Sequence, residues 1–116
     1  MTVIYKIVHA QEWRDAEACG RYAGSAKDRN DGFLHFSTAE QLIGTLNRYY
    51  RGADDLLLVA VDGNGLGDAL KFEPSSGGAL YPHLYGDLPL TVVKRVSAVL
   101  RGPNREFLLP EAPRGR

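Results

Sequence analysis

Two short segments hold the residue types that could do chemistry: Asp31-Gly32-Phe33-Leu34-His35-Phe36-Ser37 and Leu80-Tyr81-Pro82-His83-Leu84-Tyr85-Gly86. Two of the chain's three histidines lie in them, among aromatic rings, hydroxyls and turn glycines. Imidazole gains and loses a proton near neutral pH, and a few polar groups set between apolar walls are the usual make-up of a small-molecule site. Side chains alternate along a strand, so Phe33, His35 and Ser37 share one face, and Tyr81, His83 and Tyr85 share another if that segment is extended. By the same rule Lys71 and Glu73 lie opposite Phe72. Neighbouring strands would then present His35, Glu73 and His83 as catalytic candidates, with Ser37, Tyr81 and Tyr85 as ligand contacts. The polar stretch Arg21–Asp31 runs straight into the first histidine and adds Tyr22 and Ser25 as expected ligand contacts.

Each of these residues also has a plainer role. His35 reads equally as a buried histidine bonded to backbone. Ser37 reads as the cap of the helix that follows, since Ser37-Thr38-Ala39-Glu40 has the capping-box pattern. Glu73 reads as a solvated strand residue, and Tyr81 and Tyr85 as packing rings. His9, just past a strand, reads as a surface or capping residue. His83, after a proline in an aromatic segment, is the hardest to dismiss.

Other chemistries fit poorly. The glycines at 63, 65 and 67 lack the spacing and the following helix of a dinucleotide-binding loop, and no phosphate loop with its lysine is present. Cys19 has no histidine beside it to activate a thiolate. His35, His83 and Glu73 come from separate segments without a local metal-ligand spacing, so no metal is assigned.

The elements that must position these residues follow from hydrophobic period and turn signals. Val3–Val8 is β-branched and reads as a strand. Ala10–Cys19, stopped by Gly20, reads as a short amphipathic helix, and Arg21–Asp31 as a loop. Phe33–Phe36 reads as a strand leading into a helix with Leu42, Ile43, Leu46 and Tyr49 or Tyr50 at helical spacing, ended by Gly52. Leu56–Val61 reads as a buried strand, Asp62–Gly65 as a turn and Ala69–Glu73 as a strand. After the loop Ser75–Gly78 comes the second histidine segment. Val92–Leu100 reads as a strand, Phe107–Leu109 as an edge strand, and 111–116 as a fraying tail after a single domain over 1–110. Two helices confined to the first half, among many strands, argue an α+β fold rather than alternating βαβ units.

Composition sets the outer bounds. A chain of 116 residues is long enough for one core without staples. With 14 basic and 14 acidic side chains, nothing marks a nucleic-acid or anionic-membrane partner. One cysteine fits a reducing cytoplasm. The longest aliphatic run, Leu56–Val61, falls far short of the roughly 20 residues of a membrane span.

The chain also resembles a family of small bacterial proteins, the domain of unknown function 952 family. The resemblance rests on Ile4-Tyr5-Lys6-Ile7, Trp13 with Gly20 and Tyr22, Gly24-Ser25, the segment 31–37, Gln41, Asp55-Leu56, Phe72-Glu73 and the segment 81–86, and covers about residues 3–100. That family is grouped with ADP-ribosyltransferase-like folds, whose split β-sheets hold NAD in a cleft. The resemblance thus implies a nucleotide-like ligand, with NAD as a candidate substrate, and ADP-ribosyl or phosphoryl transfer as the chemistry. In that chemistry His35 would hold ribose hydroxyls, Tyr85 or Tyr81 would flank nicotinamide, and Glu73 would stand near the ribose. Open alternatives are a non-catalytic small-ligand pocket, a protein-interaction module and, last, a metal-dependent enzyme. Fold alone does not choose among them.

Overall fold

The computed structural model describes residues 2–75 and 77–109. In chain order the elements are β1 (Val3–His9), α1 (Ala10–Cys19), β2 (Arg21–Tyr22), α2 (Ala26–Asp31), β3 (Leu34–His35) and α3 (Leu42–Tyr49). They continue with β4 (Leu56–Asp62), β5 (Leu70–Pro74), β6 (Leu80–Leu84), β7 (Leu88–Pro89), β8 (Val93–Ala98), β9 (Leu100–Arg101) and β10 (Phe107–Leu108). The fold is α+β, with several small sheets and its α-helices in the first half.

The long runs of apolar residues in β1 and β4 have a simple cause: both faces of their sheet are covered. That sheet is antiparallel in the order β1-β4-β8, with Lys6 opposite Val59 and a register shift between Ala60 and Val61. Side chains alternate, so Ile4, Val8, Val59 and Val61 pack on one side with Trp13, Tyr22, Leu34, Leu84 and Leu88. Tyr5, Ile7, Leu58 and Ala60 pack on the other with Leu42, Leu46, Val99 and Phe107. α1 meets the first core through Trp13 and Ala16, one helical turn apart, and ends at Gly20 in the left-handed region. α3 meets the second core through Leu42 and Leu46 at the i, i+4 spacing.

The second sheet, in the order β3-β6-β5, carries the histidines. His35 stands directly opposite His83, Leu34 opposite Leu84, and Glu73 opposite Tyr81. Leu34 and Leu84 enter the first core, which leaves the histidines on the other face.

Two expectations need correction, and a third lies outside the described residues. The stretch 21–31 is not a loop, because it forms β2, paired with β7, and a third helix, α2. Ser25 starts α2 with a capping box: its Oγ accepts from the Asp28 amide at 3.1 Å, and Asp28 Oδ2 accepts from the Ser25 amide at 3.0 Å. Ser37 is not the cap of the next helical turn. Both its backbone groups pair with Tyr5 at 2.8 Å, so it still belongs to the strand, and the cap moves one residue on. There Gln41 Oε1 accepts from the Thr38 amide at 3.0 Å. Finally, the expected tail 111–116 and Ser76 of the expected loop lie outside the described residues.

Candidate functional site

Among the described residues, a backbone bridge between Tyr5 and Ser37 joins the two sheets. β3 pairs with β6 through His35, Phe36 still donates to Pro82 at 3.0 Å, and by Ser37 the chain has crossed to the edge of β1. Beyond that bridge the sheets diverge, and a cleft of about 580 Å³ opens between them. β1 contributes Tyr5, Lys6 and Ile7 to its wall, α2 Lys27 and Asp28, and α3 Thr45, Arg48 and Tyr49. The histidine strands add Phe33, His35, Ser37, Tyr81 and His83.

His35, Glu73, His83 and Tyr85 are brought together. The rings of His35 and His83 are 5.6 Å apart, and Phe33 packs against both: it stacks on His83 at 4.1 Å and tilts against His35 at 4.7 Å. Glu73 Oε1 lies 2.8 Å from His83 Nδ1 and accepts from the Tyr85 hydroxyl at 2.8 Å. Its carboxyl is held below the usual range by the hydrogen bond to His83 and then that from Tyr85. Glu73 and Tyr85 reach the cleft through His83 and do not line it themselves. Tyr81 and Ser25 line the cleft, although the Ser25 hydroxyl is engaged as the cap of α2. Ser37 lines it as well, with Oγ 3.0 Å from Thr45 Oγ1.

Tyr22 is the exception. Its side chain turns into the first core beside Trp13, and its hydroxyl donates to Glu12 at 3.2 Å. Burial, with the nearby Glu12 and Asp28 carboxylates, pushes that hydroxyl far above its ordinary value. As β2 puts Tyr22 on the core face, it leaves the set of ligand contacts.

Sequence reasoning missed Asp28, which holds His35, and Lys6, which holds Asp28. Lys6, in the middle of an apolar strand, is buried, and its Nζ lies 3.0 Å from Asp28 Oδ2. The other oxygen of Asp28 accepts from the His35 amide at 3.1 Å and lies 2.6 Å from His35 Nδ1. Asp31 Oδ2 lies 3.0 Å from His35 Nε2 and 3.1 Å from Lys27 Nζ. Burial alone would raise the Asp28 carboxyl, but His35, the Lys6 charge and the Ser25 amide together hold it well below the usual range. Burial lowers Lys6, against the pull of Asp28. Both ring nitrogens of His35 are thus engaged by carboxylates, Nδ1 by Asp28 and Nε2 by Asp31. The signals were present: Ser25-Ala26-Lys27-Asp28 is a capping-box pattern, and one lysine interrupts the run Val3–Val8. Thr45, Arg48 and Tyr49, at i, i+3 and i+4 on α3, were also overlooked; Tyr49 lies 5.6 Å from the Arg48 guanidinium and 6.0 Å from Lys27 Nζ.

The comparisons with known proteins concern the family and the overall fold. The family described as "Protein of unknown function (DUF952)" matches residues 7–96. The crystal structure of protein CC0527 from Caulobacter crescentus is similar over 93% of this chain and 95% of that one, with 42% identity and a TM-score of 0.88. The solution NMR structure of CC0527 is similar over 90% of each chain, with 44% identity and a TM-score of 0.81. No curated protein matches the chain. By the family match and the likeness of sequence and fold, the chain belongs to the DUF952 family.

Proposed function

We propose that the cleft binds a small anionic ligand of the nucleotide class. The observation that carries this reading is the pairing of two kinds of wall in one cavity. One wall is the Phe33–His83–His35 aromatic cluster, and the other is Tyr49 with the cations Lys27 and Arg48 beside it. A ring that stacks on a base and cations that meet phosphate oxygens are the groups a nucleotide requires. The volume of about 580 Å³ falls within the roughly 300–1,000 Å³ typical of small-molecule sites. The grouping of this family with ADP-ribosyltransferase-like folds, which the sequence resemblance implies, favours a ligand carrying ADP-ribose. It also makes ADP-ribosyl or phosphoryl transfer the chemistry to test.

The test is a thermal-shift panel of NAD, ADP-ribose, nicotinamide and 2′-phosphorylated RNA ends, run on the wild type and on Arg48→Ala. A ligand at 100 times its dissociation constant stabilises the native state by about 2.7 kcal/mol, a rise of several degrees in a domain of this size. ADP-ribose should raise the melting temperature of the wild type and act weakly on Arg48→Ala. If no member of the panel moves the wild-type curve at millimolar concentration, the nucleotide reading fails. Nicotinamide released from NAD would separate a transferase from a binding module.

A further inference from the structure

The two histidines of the cleft are held in different ways, and the difference divides their labour. Each ring nitrogen of His35 faces a carboxylate, Nδ1 at 2.6 Å from Asp28 and Nε2 at 3.0 Å from Asp31, so neither nitrogen is open to a substrate. His83 is engaged by a carboxylate at one nitrogen, Nδ1, at 2.8 Å from Glu73. An ionised carboxylate accepts, so Nδ1 carries the proton and Nε2 keeps its lone pair. Phe33 stacks on the ring at 4.1 Å and fixes its plane, while the Tyr85 hydroxyl fixes Glu73 from its other side. The charged or titratable groups around His83 are Glu73 and Tyr85 on its own face, the His35 ring at 5.6 Å, and Lys71, its partner across β5.

We propose that His83 Nε2 is the proton acceptor of the cleft, with Glu73 as its positioning residue. The substrate group is a hydroxyl, on the bound ligand or on water. Its O–H bond breaks as an N–H bond forms at Nε2, and the oxygen keeps the electron pair and becomes a nucleophile. The resulting imidazolium is neutralised by Glu73, as in other histidine–carboxylate pairs. This assignment rests on the cleft being a ligand site, but its test needs no ligand.

Long-range proton–nitrogen NMR on the uniformly 15N-labelled full chain at pH 7.5 reads the protonation of every ring nitrogen directly. His83 should show a protonated Nδ1 and a bare Nε2. Diethyl pyrocarbonate, which acylates bare imidazole nitrogens, should then modify His83 and spare His35 when peptides are mapped by mass spectrometry. In Glu73→Gln the acylation rate at His83 should fall about tenfold, since the amide no longer selects one tautomer, and Glu73→Asp should recover part of it. Circular dichroism of both variants separates this loss from misfolding. A protonated Nε2 on His83 at pH 7.5, or acylation of His35 ahead of His83, overturns the assignment. Failure of ADP-ribose to bind leaves these readouts unchanged, so the two readings fall separately.

Discussion

Asp28 holds more of the site than either histidine. One oxygen pairs with the buried Lys6 ammonium, and the other takes the backbone and ring N–H groups of His35. Removing one partner of a buried ion pair leaves the other charge stranded, at a cost of about 3–5 kcal/mol. Asp28→Ala should therefore lose about that much stability in a denaturant melt. A double replacement of Lys6 and Asp28 by methionine and leucine should recover a large part of it, since no charge is left buried. A double variant as unstable as the single one would show that the pair is not what matters. The pH dependence has a definite sign. The folded-state carboxyl lies below its unfolded value, so its contribution is complete above the ordinary carboxylate range and drains away as pH falls below about 4. Wild type should accordingly lose stability on acidification more steeply than Asp28→Asn does. Parallel acid limbs would contradict this.

The element that matters most is α2, the one hidden in an apparent loop. The six residues Ala26–Asp31 are polar but for Ala26 and have no apolar stripe, so hydrophobic period could not reveal them. Their helix is made by its ends: the Ser25–Asp28 box at the start and Gly32, at φ +89°, at the close. Its packing explains Gly24, which precedes the cap at φ +109°. A Cβ there would lie 2.7 Å from Leu34 Cδ2 and 2.9 Å from Asp28 Cβ. Gly24→Ala should cost more than about 1 kcal/mol, because it adds a disfavoured backbone conformation to a clash. Ser25→Ala, which removes only the cap, should cost about 1 kcal/mol. Both should move the His35 ring resonances, because Asp28 carries each disturbance to the ring; a melt shifted with His35 unmoved would break that chain of contacts. Strand parity, by contrast, was legible. It grouped Phe33 with His35 and His83 with Tyr85, and the pairing of β6 with β3 and β5 supplied the adjacency that parity alone lacks. Tyr22 was misplaced because its strand and that strand's partner are each only two residues long, too short for alternation to be read.

At the scale of the whole molecule, the division of strands and helices was legible from composition and period, whereas the split between the sheets was not. Among the described residues the sheets are bridged by Tyr5 with Ser37, residues 32 positions apart, and no local pattern encodes such a contact. That bridge and the sheet β1-β4-β8 bind two apolar layers into one body, since β1 and β4 place alternate side chains in each. Trp13, the chain's single tryptophan, is buried in the first layer, and Leu46, on α3, is fully buried in the second. If the strands couple the layers, damage to one must be felt in the other, as a chain of this length normally unfolds in one cooperative step. Leu46→Ala opens a cavity worth about 2–5 kcal/mol of lost stability. The tryptophan fluorescence midpoint in urea should therefore fall together with the far-ultraviolet circular dichroism midpoint, although Trp13 lies across the sheet from the cavity. A dichroism transition that shifts while the Trp13 transition stays in place would mean that the layers unfold separately.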